Sequence, residues 1–253
     1  MTIATLRTGM RRVATAAALV LVPAALGAQE LPAAADLMAA YNKAIGGEAA
    51  FAKLQGMHST GTYAIPGMGL SGDLEIHSAR PNKMLVRINM PGMGEIRQGY
   101  DGETAWATNP MQGPRIITGA ELTQLSDEAG FDSALRRMDR FESAETIEKT
   151  EMGGQACYKV RLVWKSGRES WDCYSVETGL LVGGVAKAES PMGVVEATSL
   201  MQEYKQFGDL MVPTRTVIQT MGMEQILTIT SVEFVEPAAE VFELPAEIKA
   251  LKN

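Results

Sequence analysis

The feature that most constrains this chain is a two-residue hydrophobic period cut by regularly spaced turn signals. Leu70, Leu74 and Ile76 alternate with Asp73, Glu75 and His77, and Met84, Val86, Ile88 and Met90 alternate with Lys83, Arg87 and Asn89. Successive strand side chains point to opposite faces, so the pattern calls for strands with one dry and one wet face, which is antiparallel sheet. Turn signals recur at intervals of about 8 to 14 residues: Pro66-Gly67, Arg80-Pro81-Asn82, Pro91-Gly92, Asp101-Gly102, Gly153-Gly154, Ser166-Gly167, Thr178-Gly179, Pro191-Met192-Gly193, Gly208-Asp209 and Met221-Gly222. The expectation is a mainly β (α+β) fold built on a meander of about ten antiparallel strands.

Two stretches break the period. Leu37, Tyr41, Ala44 and Ile45 recur at helical spacing and Gly46-Gly47 supply a stop, so an amphipathic helix is expected there, followed by a short one over Glu48 to Leu54. Between Gly119 and Phe141, Leu122, Leu125, Phe131, Leu135 and Met138 sit among charged residues, which predicts two short amphipathic helices inserted between strands. Their apolar stripes need a partner, so they must cover one face or end of the sheet, and Gly119 and Gly130 are candidate hinges for a lid.

Residues 1–28 carry Arg7, Arg11 and Arg12 and no acid, then an apolar run from Val13 to Val22, Pro23 and a small-residue stretch ending at Ala28. This is a signal-peptide layout, too short in its apolar part to span a bilayer. Cleavage after Gly27 or Ala28 would leave residues 29–253 as one soluble, exported, periplasmic domain. The full chain has 23 Lys+Arg against 30 Asp+Glu; without the segment, 20 basic residues face 30 acidic ones. Such a field repels phosphate backbones and anionic lipid surfaces, so no nucleic-acid partner is expected.

Catalytic and metal signatures are sparse. With only His58 and His77, and two cysteines far from either, no metal site of the usual ligand count and no cofactor is expected. Both histidines read as surface strand residues without an orienting carboxylate. Gly67-Met68-Gly69-Leu70-Ser71-Gly72 spells a dinucleotide fingerprint, but period-two residues follow it where a helix is required. No G-x-S-x-G elbow occurs, so the chain is not expected to be an enzyme. Cys157 and Cys173 flank the turn tetrapeptide Lys165-Ser166-Gly167-Arg168. An even pair in an exported chain predicts a disulfide across that hairpin, on the outer face by strand parity.

A long meander with one apolar face cannot stay flat, and curling it around helices leaves an open groove where closure is incomplete. Candidate lining residues are Met84, Val86, Ile88 and Met90 on one strand, Trp106 beyond the Asp-Gly turn, and Leu122, Leu125, Phe131 and Leu135 from the insertion. Methionines at the turns (Met68, Met93, Met192, Met221 and Met223) would give that groove an adaptable apolar mouth if they share a rim.

Four stretches carry a resemblance: Tyr41-Asn42-Lys43-Ala44-Ile45-Gly46-Gly47, Gly99-Tyr100-Asp101-Gly102-Glu103-Thr104-Ala105-Trp106, Thr178-Gly179-Leu180-Leu181, and Val241-Phe242-Glu243-Leu244-Pro245. With these the chain resembles bacterial outer-membrane lipoprotein-sorting proteins of the LolA/LolB-like superfamily. The resemblance implies a curled antiparallel half-barrel with helices over its concave face and a hydrophobic cavity that binds acyl chains of a lipid or lipoprotein in the periplasm. It also implies relatives that sense envelope stress through another envelope protein, the alternative function. Which of Arg115, Arg136, Arg137 or Arg140 would stand for the carrier's lid-latching arginine stays open. A monomer is expected.

Overall fold

The structure, a computed structural model, describes Met1 and residues 30–190 and 193–252. The expected export segment 1–28 lies outside the described residues apart from Met1, as do Pro191 and Met192 of one predicted turn. Thirteen strands follow one another as β1 (Gly56–Ile65), β2 (Leu70–Ala79), β3 (Lys83–Met90), β4 (Gly94–Tyr100), β5 (Ala105–Asn109), β6 (Gly113–Ile117), β7 (Phe141–Met152), β8 (Gln155–Trp164), β9 (Glu169–Ser175), β10 (Leu181–Ser190), β11 (Gly193–Phe207), β12 (Leu210–Thr220) and β13 (Met223–Glu233). The expected number was about ten. Each turn signal within the described residues does separate two strands, but the sequence reading passed over Pro110-Met111-Gln112, which joins the short strands β5 and β6.

All strands of the described residues share a 13-stranded antiparallel sheet in the order β6-β5-β4-β3-β2-β1-β13-β12-β11-β10-β9-β8-β7. The sheet is open, with β6 and β7 at its two edges, and the Gly119–Phe141 insertion joins those edges. It contains helix α3, Gly119–Ala129, numbered after α1 (Ala34–Ala44) and α2 (Gly47–Ala52). Helix α3 touches both β4 and β10, seven strand spacings apart, about 34 Å on a flat sheet. A helix about 16 Å long and 10–12 Å across cannot bridge that distance. The sheet must therefore curl around it, as a half-barrel does.

Tyr41 and Met38 of α1 are buried against the concave face, with the Tyr41 ring 5.7 Å from that of Tyr174 on β9. Gly46 between α1 and α2 has φ of 120°, and a Cβ there would come within 2.6 Å of the Asp209 carbonyl. Only glycine allows the helical pair to seat this closely on the β11–β12 turn. Helix α4 (Ala246–Leu251) closes the chain on the convex face, where Ile248 and Phe242 cluster with Ala79, Leu85 and Trp106. Among the described residues no helix is long and apolar enough to cross a membrane.

The insertion departs from expectation. A single helix forms, and residues 130–140 are an irregular loop ending in a 3-10 turn, Met138–Arg140. The second helix is absent because its backbone and charged side chains bond to four other elements instead.

Cys157 and Cys173 form a disulfide with a Cα–Cα distance of 5.5 Å. They pair diagonally, since Cys157 lies opposite Ser175 and Cys173 opposite Lys159, and the even offset keeps both on one face. Both lie on the convex face, yet fully buried beside Met152 and Val182.

Candidate functional site

A cavity of 240 Å³ lies between the concave face and the helices. Its floor is Met57, Ile76, Ser78 and Met84 from β1, β2 and β3, and Leu210, Met211, Val212 and Pro213 from β12. Its wall is Tyr41, Ile45 and Phe51 from α1 and α2, and its roof is Glu128 to Phe131 with Ser133 and Ala134. Strand register explains the floor: Met57 faces Ser78 and Ser78 faces Met84, so all three point to one side. The walls are predominantly apolar, as ligand sites are, and the volume falls below the roughly 300–1,000 Å³ typical of them.

The loop 130–140 forms the roof and is tied down on every side. Arg80 clasps Asp132 with two bonds of 2.9 and 2.7 Å, also donates to the Leu54 and Phe51 carbonyls, and lies over the Phe131 ring. The Phe131 amide donates to the Pro81 carbonyl at 3.0 Å. Asn42 of α1 exchanges two bonds with the Arg136 backbone, at 2.8 and 2.7 Å. The Arg136 side chain donates to Asp172 at 2.7 Å, and Tyr174 donates to the same carboxylate at 3.0 Å. Arg137 reaches Glu48 of α2 at 2.7 and 2.5 Å. Of the four arginines left open as a latch, Arg136 is the one whose ion pair is most deeply enclosed, with 17% and 8% exposure for the two side chains. Arg115 pairs instead with Glu121 near the start of α3, Arg137 binds at the surface, and Arg140 donates to the Ser133 and Asp127 carbonyls and lies over the Trp164 ring.

The electrostatics follow from enclosure. Burial is the largest single influence on the Arg136 guanidinium and would lower it, but the charge and hydrogen bond of Asp172 together with Tyr174 and Tyr41 outweigh it and hold it above its ordinary value. Burial pushes up the hydroxyls of Tyr41, Tyr174 and Tyr204, so all three stay neutral beside this pair. Glu128 at the cavity edge is raised by burial against the pull of Arg168, 3.1 Å away. Its side chain is 49% accessible, but it lines the cavity, so part of that surface faces an enclosed space and not bulk water.

Of the residues the sequence suggested, Met84 and Phe131 line this cavity. Val86, Ile88 and Met90 share Met84's face by alternation but continue toward the other rim, outside it. Leu122 and Leu125 pack on Tyr100, Ala105 and Ile117, and Leu135 is buried with α1, Val160, Leu162 and Trp164. Trp106, expected to line the groove, faces the opposite way. It is 2% exposed on the convex face between Leu85 and the C-terminal segment, lying across Gly99, where a Cβ would meet its ring at 2.5 Å. Tyr41, Ile45 and Phe51, legible only as helix residues, and the whole β12 contribution are lining that the sequence does not suggest. That proximity depends on β1 pairing with β13, for which no local signal exists.

No protein-family model matches the chain, and no curated protein matches it by sequence. Solved structures do. A LolA-superfamily protein from Nitrosomonas europaea superposes with a TM-score of 0.55 at 12% identity, covering 85% of this chain and 99% of its own. The chain has a LolA-like fold. A DUF1329-family protein from Desulfovibrio piger gives 0.56 at 12% identity, covering 83% and 97%. A domain from Vibrio parahaemolyticus assigned as an outer membrane lipoprotein-sorting protein gives 0.51 at 11%, covering 79% and 91%. At these identities the likeness is one of fold alone, and the LolA-like half-barrel is what the described residues share with all three.

Proposed function

We propose that this LolA-like chain is an exported periplasmic carrier, cleaved near residue 28, that binds an acyl chain of a lipid or lipoprotein and performs no chemistry on it. The observation that carries this reading is the apolar cavity between the concave face and the helices, roofed by the end of α3 and the firmly tied loop that follows it. As closed, 240 Å³ admits a short stretch of chain; displacing α3, the less firmly tied part of the insertion, opens the concave face toward Val86 and Ile88. Each methylene buried there contributes about 0.8 kcal/mol. The expected result is saturable binding of a fluorescent fatty-acyl probe by the exported protein, weakened at least tenfold by Met84→Trp, which fills the cavity, and unchanged by Arg161→Ala on the convex face. A probe that binds both variants equally, or does not bind the unaltered protein at tens of micromolar, overturns the carrier reading.

One observation favours the protein-partner alternative. Alternate turns of a meander share a rim, so the turns β1–β2, β5–β6 and β12–β13 lie together, and Met68, Met111, Met221 and Met223 on them are exposed. Soft side chains clustered at one rim suit an adaptable contact with another envelope protein. On that reading, Met68→Ser with Met221→Ser leaves probe binding intact and abolishes capture of the partner.

A further inference from the structure

The chain's two histidines, expected as separate surface residues, are direct cross-strand partners. His58 on β1 lies opposite His77 on β2, with ring centroids 4.2 Å apart and planes within 2° of parallel. They occupy the convex face, since their neighbours Met57 and Ser78 line the cavity on the other side. His58 Nε2 and His77 Nδ1 are buried and have no hydrogen-bond partner among the described residues. Buried polar atoms left unpaired call for an explanation, and an ion is one of the few that satisfies two imidazoles at once. Glu75, two residues before His77 and so on the same face, brings a carboxylate oxygen to 3.7 Å from His77 Nε2. The three ligand atoms lie within 4.8 Å of one another.

We infer that His58, His77 and Glu75 form a site for a borderline divalent cation of the zinc class, on the face opposite the cavity and independent of the carrier reading. Two imidazoles and one carboxylate are a sufficient protein set for zinc with its fourth position open, whereas magnesium and calcium prefer oxygen ligands. Zinc bonds of about 2.0–2.2 Å place tetrahedral ligand atoms roughly 3.3 Å apart, so the present spacing of up to 4.8 Å must contract by as much as about 1.5 Å. Rotating one stacked ring about its broad χ2 torsion supplies that movement without moving the backbone. Glu233 lies opposite His58 on β13 and sets a second carboxylate on the same face. The cation facing the cluster is Arg87, 3.8 Å from Glu75. It lies in a groove also lined by Asp73 and Glu95, whose charges hold it when the ion takes Glu75 and draw a cation toward the site.

The test is calorimetric titration of the chelator-treated exported protein with zinc chloride, with magnesium chloride as the control. One zinc per chain is expected, and none of the magnesium. His58→Gln and His77→Gln should each weaken binding at least about tenfold, as loss of a ligand does, and Glu75→Gln by less. Because a substitution can also act through the sheet, cobalt is added to the unaltered protein in parallel, where an intense visible band reports four-coordinate binding, and zinc chloride added afterwards is expected to remove it. Absence of stoichiometric zinc uptake at hundreds of micromolar overturns the inference. So does equal uptake by the double glutamine variant with native circular dichroism.

Discussion

Helix α3 and the loop that follows it are neighbours in the chain and are held to the half-barrel in different ways. Residues 130–140 are fixed by ion pairs and hydrogen bonds to α1, α2, β9 and the β2–β3 turn, several of them enclosed. Helix α3 has no side-chain cap at its N-terminus, begins at a left-handed Gly119 and rests on Tyr100, Ala105 and Ile117 through Leu122 and Leu125. Its ionic ties sit at its two ends: Arg115 with Glu121 in the first turn, and Arg168 with Asp127 and Glu128 in the last, where Ser166 also donates to Asp127. Apolar contacts are non-directional and tolerate sliding, whereas an enclosed ion pair is either made or broken. The difference assigns movement to the body of α3 around Leu122 and Leu125, and makes its last turn and the loop the fixed stem. Gly130, expected as a second hinge, has an ordinary φ of −55° and sits where the stem begins.

The largest test of this contrast removes Arg136. Arg136→Ala strands Asp172 with only the Tyr174 hydroxyl, and should cost about 3–5 kcal/mol in urea unfolding. A loss under 1 kcal/mol would show that the loop is not the fixed part. Next comes Leu125→Ala on the mobile side, expected to cost about 2–3 kcal/mol while accelerating hydrogen exchange in α3 and leaving that of residues 130–140 unchanged. Uniform acceleration across both stretches would merge them into one unit. The smallest effect is electrostatic. Burial raises the Glu128 carboxyl above its ordinary 4.5 in the folded chain, so the folded state holds this proton more tightly than the unfolded one. The stability this confers is full below about 4.5 and is lost as pH rises through the raised value. Glu128→Gln should therefore gain on the unaltered protein with increasing pH above 4.5; a difference constant with pH would mean the carboxylate is not enclosed.

The strands were legible because period two and turn chemistry are local, and even the Cys157–Cys173 bridge could be read from its hairpin. The α1–α2 pair was legible from Tyr41, Ile45 and Gly46-Gly47. The cavity was not. Leu135 and Phe131 look alike in sequence, yet one is buried in the α1 core and the other roofs the cavity, because Arg80 and Asp132 decide where the loop turns. Trp106 obeys strand parity faithfully; what the pattern lacked was the C-terminal segment, which makes the convex face dry as well. A helix was expected where Arg136, Arg137 and Asp132 sit because their partners lie far away in the chain.

Among the described residues, every ladder but one joins strands that follow each other in sequence, and the exception, β1 with β13, stands in the middle of the sheet. The strand made last is thus the keystone. Two hairpin arrays, β1 to β6 and β7 to β13, can zip early, but each keeps an unpaired edge until residues separated by most of the chain meet, and such long-range pairing is slow. During that interval the edge of β1, from Met57 to Ile65, is a template for any other chain's strand. A truncation that spares the cavity but removes β13 would therefore yield aggregation in place of a smaller carrier.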